Sequence, residues 1–139
     1  MSIRKSIIHS DFTSSNLIFS KGKIIAVLDW DNLRKDYLVS EPSIALGHII
    51  TLNKEVELNL IRSFLHEYEK QILLNNEEKK ALYFFIKNKI LGGIVWCDLQ
   101  RKSHPSKAKI FKKWLIGLIV FYKKFDKITL NEFLKVVNN

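Results

Sequence analysis

The 139-residue chain has one cysteine, two prolines and five glycines. A single thiol excludes an intrachain disulfide and any multi-cysteine metal site. Nothing in it points to an oxidising compartment, and Cys97 reads as a small buried apolar residue. Long hydrophobic runs are also missing. The longest, Trp114 to Tyr122, has nine residues, against the roughly 18 that a membrane-spanning helix needs. Residues 1–8 offer Arg4, Lys5 and only two consecutive isoleucines before a polar stretch, too little for the apolar region of a signal peptide. The chain therefore reads as cytoplasmic. The glycines stand at 22, 47, 92, 93 and 117 and form no Gly-x-Gly and no Walker pattern, so no phosphate-cradling loop is legible.

What is present is an ordinary globular composition: 47% apolar and 27% charged residues, enough for one domain, 1–139, with one core. The net charge of +9 is unevenly placed. Residues 1–80 hold 11 Lys/Arg and 11 Asp/Glu, whereas residues 81–139 hold 12 against 3. A solvated lysine-rich face is the simpler reading of that asymmetry, and an anionic partner is the other.

Scarce glycine and proline make the punctuation clear. Ile7-Ile8 ends a short strand or leads into a loop over His9 to Asn16. Leu17 to Phe19 and Ile24 to Leu28 read as two strands of a hairpin, joined by a turn over Ser20 to Lys23 in which Gly22 accepts positive φ. From Glu41 the pattern is helical: Ser43 to Leu52 behind Pro42, an amphipathic stretch over Val56 to Leu73, and a helix from Glu77 toward Leu99 capped by Asn75-Asn76. Gly92-Gly93 marks close packing or a kink. After a break at residues 103–106 come helices over Lys109 to Phe125 and Asn131 to Val137. The class is α+β, mainly α: a β-hairpin (1–40) followed by four to five packed helices (41–139).

The chemistry is concentrated in His9-Ser10-Asp11-Phe12-Thr13-Ser14-Ser15-Asn16 and in Val27-Leu28-Asp29-Trp30-Asp31. Phosphoryl transfer needs a carboxylate near the attacking hydroxyl and oxygen ligands for magnesium on the nucleotide phosphates. Asp11 suits the first task. Asn16, just before the hairpin, and Asp29, just after it, suit the second, because hairpin ends lie side by side. Singly, each of these residues is more often a cap or a turn former; their joint order and spacing point to a site. His48, His66 and His104 are too scattered for a metal-ligand assignment.

His-x-Asp-x-x-x-x-Asn, a hairpin, then hydrophobics ending in Asp-Trp-Asp resembles the aminoglycoside phosphotransferase and choline kinase superfamily, which is similar in fold to protein kinases. The resemblance implies that Asp11 is the catalytic base, that Asn16 and Asp29 bind magnesium, that His9 is a structural loop residue and that Asp31 is a supporting acid. ATP and magnesium are the implied cofactors, and a small molecule with a hydroxyl is the implied acceptor. The chain departs from the pattern at Ser10, where the family usually has Gly, and at Ser14-Ser15, where a Pro-Gly pair is common. It departs again at Glu41-Pro42-Ser43, where Ser43 stands in for the acid that begins the next helix.

The resemblance covers a C-terminal lobe. It implies an N-terminal nucleotide lobe that these residues do not spell out, so the expectation is a chain with doubtful stand-alone activity. Apolar side chains should be exposed near Trp30 and the hairpin, favouring self-association or binding to a separately encoded lobe. Trp96 and Trp114 with nearby tyrosines form either a cage for a quaternary ammonium or core. The competing reading is a non-catalytic remnant or binding module that uses the lobe interface or the basic 81–139 surface for a protein or anionic partner. Nucleic acid is not expected, since only charge supports it. Nor is a membrane, because Lys109 to Phe125 fits a core helix better than an interfacial one.

Overall fold

The structure, a computed structural model, describes residues 2–53 and 56–138. Two antiparallel ribbons form the N-terminal part. The first pairs β1 (Lys5–Ile8) with β4 (Arg34–Tyr37), Lys5 opposite Tyr37 and Ile8 opposite Arg34. The second pairs β2 (Leu17–Ser20) with β3 (Lys23–Val27). The turn residues Lys21 and Gly22 have φ of 48° and 74°, the mirror-image geometry whose twist matches that of the flanking strands. Ile18 faces Ala26 but Phe19 faces Ile24, so Ile25 is the extra residue of a bulge.

The hairpin and its turn agree with expectation. Strand β4 was not anticipated: three of its four residues are charged, and it shows no apolar alternation. It forms because β1 offers it a partner, so pairing overrides propensity. The ribbon leads directly into the helices.

Among the described residues five α-helices follow: α1 (Ser40–Asn53), α2 (Leu58–Glu69), α3 (Asn76–Ser103), α4 (Ala108–Asp126) and α5 (Leu130–Val137). Helix α2 is shorter at both ends than its apolar pattern suggests. Helix α3 starts with a capping box in which Asn75 accepts from the Glu78 amide while Glu78 accepts from the Asn75 amide, closing two orphan donors of the first turn. It runs unbroken through Gly92-Gly93. A Cβ on Gly93 would stand 3.3 Å from Leu118 Cδ1, so this glycine serves the approach of α4 and not a kink. Thr129 and Glu132 repeat the capping box on α5.

One apolar core joins α1, α2, the first half of α3, the second half of α4, and α5, with Leu46, Ile61, Leu82, Ile86, Phe125 and Phe133 fully buried. Beyond it the α3–α4 hairpin continues as an arm. The expectation that Lys109 to Phe125 is a core helix holds for one face only: Phe111, Phe121 and Phe125 are buried, while Ile110, Trp114, Ile116 and Val120 are each about half exposed. Burial needs a facing element, and the arm extends past the last one. Trp96 and Trp114 meet edge to face across Phe111 in this arm. Tyr83 instead stacks on Phe125 in the core. Cys97 is buried, and burial raises its thiol pKa. No described helix is long and apolar enough to cross a membrane.

The two parts are joined by a charge pair. Glu78 is fully buried at the start of α3. It receives Arg4 Nε and the Arg4 amide on Oε1, at 2.8 and 3.0 Å, and Arg4 Nη2 on Oε2 at 2.7 Å. The guanidinium holds the Glu78 carboxyl down at about 2. Strand β1 is thereby fixed to α3, which gives the loop after β1 a rigid origin.

Candidate active site

The loop begins where β1 ends. His9 and Ser10 are buried, and both of their amides donate to Glu41 Oε2 at the start of α1. The anchoring acid is therefore Glu41, and Ser43 does not stand in for it. The Ser43 hydroxyl is spent inside the helix, on Ser40 O at 2.7 Å. Ser10 sits at φ 66°, a left-handed conformation that favours glycine. That is the physical reason a glycine is the common residue here. Its hydroxyl donates to Asn32 O at 2.6 Å, tying the loop to the segment after Asp29.

His9 bridges the two halves of the motif. Its Nε2 lies 2.7 Å from Leu28 O, and its Nδ1 accepts from the Asp11 amide at 3.3 Å. A carbonyl can only accept, so the ring carries its proton on Nε2. Trp30 packs against the imidazole with ring centroids 4.8 Å apart, and its indole N–H donates to Val27 O. His9 thus ties the loop to the residue that precedes Asp29.

The Asn16 amide nitrogen donates to Asp11 Oδ2 at 2.8 Å and to Asp11 O at 2.9 Å. With both amide hydrogens given to Asp11, the Asn16 Oδ1 oxygen is the atom left to meet a cation. The Leu28 amide donates to Asn16 O at 2.8 Å, which closes the hairpin mouth and sets Asn16 beside the residue preceding Asp29.

Asp29 has φ 61° and ψ 61°, a left-handed position that aspartate tolerates better than most residues. It precedes a 3-10 turn over Trp30 to Asn32 but makes no side-chain capping bond. The structural explanation for an acid there, a cap, does not apply. Asp31 lies exposed in that turn. Asn16 and Asp29 each carry hard oxygen donors, the ligand type that magnesium takes. Among the described residues no three His, Cys, Asp or Glu gather into a closed metal site.

One participant was set aside in the sequence. His48, on α1, places Nε2 2.9 Å from Ser14 Oγ. Burial pushes its pKa down; Asp11 opposes that shift and Lys89 adds to it. His48 follows Glu41 by seven residues, two helical turns, so both face the loop. That spacing was the available signal.

A model of the phosphotransferase enzyme family, APH, matches residues 2–81 of this chain. No curated protein matches it.

Proposed function

The chain belongs to the phosphotransferase enzyme family, and from that premise we propose that it supplies the catalytic loop and magnesium-holding hairpin for phosphoryl transfer from ATP to a hydroxyl of a small molecule. One observation carries this reading: the Asn16 amide clamps Asp11 at the mouth of a hairpin whose other end is Asp29. Enzymes of phosphoryl transfer work chiefly by positioning and charge. Asp11 takes the proton of the attacking hydroxyl, with Oδ2 steadied by Asn16 and Oδ1 left for the acceptor. Asn16 Oδ1 and the Asp29 carboxylate would hold magnesium, which when bound offsets the charge of the phosphate oxygens. Asp31 adds negative charge nearby. Glu41 and His9 keep the loop in register with the hairpin.

The nucleotide is covered, in this proposal, by a lobe carried on this or another polypeptide. Exposed apolar side chains support such a seat: Ile7, Ile25, Trp30 and Leu33 are all about half exposed or more. Surfaces of that kind recruit partners. The second reading, a binding module without turnover, is favoured by the half-exposed apolar arm of α3 and α4 among its lysines.

A magnesium-dependent nucleotide titration separates the two. The expected result is weak, saturable binding of ATP that needs magnesium and is lost in Asp29→Ala with the chain still folded. Binding indifferent to magnesium, or unchanged in Asp29→Ala, overturns the phosphotransferase reading.

A further inference from the structure

Helix α4 has two apolar faces, and packing uses one of them. Phe121 and Phe125 enter the core, Phe111 is buried against Trp96, and Leu118 lies at Gly93. Half a turn away, Ile116, Ile119 and Val120 are between 37% and 53% exposed. Lys109, Lys112 and Lys113 precede them and Lys123 follows, all exposed. Their offsets of three and four residues set lysines and aliphatics on one outward stripe. The sequence argued against an interfacial helix because apolar residues surround α4; the structure sorts them into a packed face and an outward one.

An ordinary solvated face interleaves acids with its lysines, as α3 does: Lys80 pairs with Glu77, Lys87 with Asp126 and Lys102 with Asp98. The outward stripe of α4 does not. Among the described residues none of its four lysines has an ion pair, and the one acid of α4, Asp126, is held by Lys87 of α3. Like charges three or four residues apart repel one another until an anionic surface meets them. A partner for this stripe must therefore be anionic and must also take up aliphatic side chains. Nucleic acid meets the first condition only, since its binders offer bases aromatic faces to stack on. A protein partner would need a groove for the convex outer side of one helix. A bilayer surface deforms around such a helix, so that the aliphatics enter the acyl boundary while lysine stems reach back to the headgroups.

We propose that the outward face of α4 docks the chain on a membrane surface rich in anionic lipid. The contact is peripheral: α4 lies along the surface, and no described helix is long and apolar enough to cross it. This docking is separate from phosphoryl transfer and stands whether or not that reading holds.

The test sediments the full chain with vesicles of phosphatidylcholine, alone or mixed with phosphatidylserine. The chain should follow the mixed vesicles and not phosphatidylcholine, and added salt should release it. Lys112→Ala and Lys123→Ala should each weaken binding about fivefold, the worth of one lysine at an anionic bilayer. Lys80→Ala on α3, whose charge Glu77 already meets, should stay within about twofold of wild type. Ile116→Ser should also weaken binding about fivefold, because the apolar contact is lost. All four positions are exposed, so denaturation midpoints should not move. No capture by the mixed vesicles, equal capture by phosphatidylcholine, equal losses in Lys80→Ala and Lys112→Ala, or indifference to Ile116→Ser overturns the proposal. So does tighter binding, at equal negative charge, to a single-stranded oligonucleotide or to polyglutamate, which would give the face to nucleic acid or to an acidic protein.

Discussion

Residues 2–39 and residues 40–138 are held together by different forces. The first part is two ribbons and a loop, with few buried apolar side chains and positive φ at Ser10, Lys21 and Asp29. Its order comes from hydrogen bonds that side chains make to backbone: Glu41 to two amides, His9 to Leu28, Ser10 to Asn32, Asn16 to Asp11. The second part is helical, with one apolar core. Directional bonds fix individual atoms where packing fixes only volumes, so the proposed chemistry falls in the part with the poorer core. The difference also means that stability and site integrity can be perturbed separately.

The largest separation should come from Phe125→Ala. Phe125 is fully buried and meets Tyr83, Phe121 and Phe133 at 5.6 to 6.4 Å between centroids. Truncation leaves a cavity and should remove about 4 kcal/mol from the denaturation free energy. The magnesium response of the molecules that remain folded should be unchanged. Asp29→Ala should do the reverse, abolishing that response at a cost of only about 1 kcal/mol, the left-handed strain of alanine at φ 61°.

Next in size is the joint between the parts. Glu78→Ala should cost about 3 kcal/mol, because the Arg4 and Asn75 amides lose their acceptor and the Arg4 guanidinium loses its partner. The folded-state pKa of Glu78 lies at about 2, below the ordinary 4.5. Its stabilisation is therefore complete above about pH 4.5 and is lost as pH falls from there toward 2. Acid denaturation of Glu78→Gln should lack this component. A wild-type acid limb identical to that of the variant would deny the joint its role.

These forces also explain what could be read beforehand. The approach of Asn16 to Asp11 and to the residue before Asp29 was legible because a loop and one tight hairpin connect these positions within 19 residues of chain, leaving little freedom in their arrangement. Glu41 and His48 come from α1, and only the tertiary approach of that helix reveals which of Glu41 and Ser43 meets the loop. The half-exposed arm was misjudged for a related reason. Apolar residues around most of α4 suggest burial, yet burial depends on what faces them, and that is not written in the helix itself. Strand β4 fails both tests, carrying neither β-branched residues nor alternation.

A smaller effect is expected at Ser10, where strain and bonding oppose each other. Ser10→Ala keeps a Cβ at φ 66° and loses the bond to Asn32 O, so it should cost about 1 kcal/mol. Ser10→Gly loses the same bond but relieves about 1 kcal/mol of left-handed strain, so it should fall within about 0.5 kcal/mol of wild type. Denaturant midpoints at constant slope measure both. Equal losses would show that the loop conformation is unstrained.

The smallest effect should be a gain. Lys21 occupies the first central position of the hairpin turn at φ 48°, ahead of Gly22 at 74°, and asparagine is preferred to lysine there. Lys21→Asn should stabilise the chain by about 0.5 kcal/mol, an increment readable from matched denaturation curves. Because the hairpin mouth holds Asn16 beside Leu28, a firmer turn should also sharpen the magnesium response at Asp29 without moving it. Stabilisation with a weakened magnesium response would mean that the proposed magnesium site needs the looser turn, and that order in the ribbons and competence of that site are opposed.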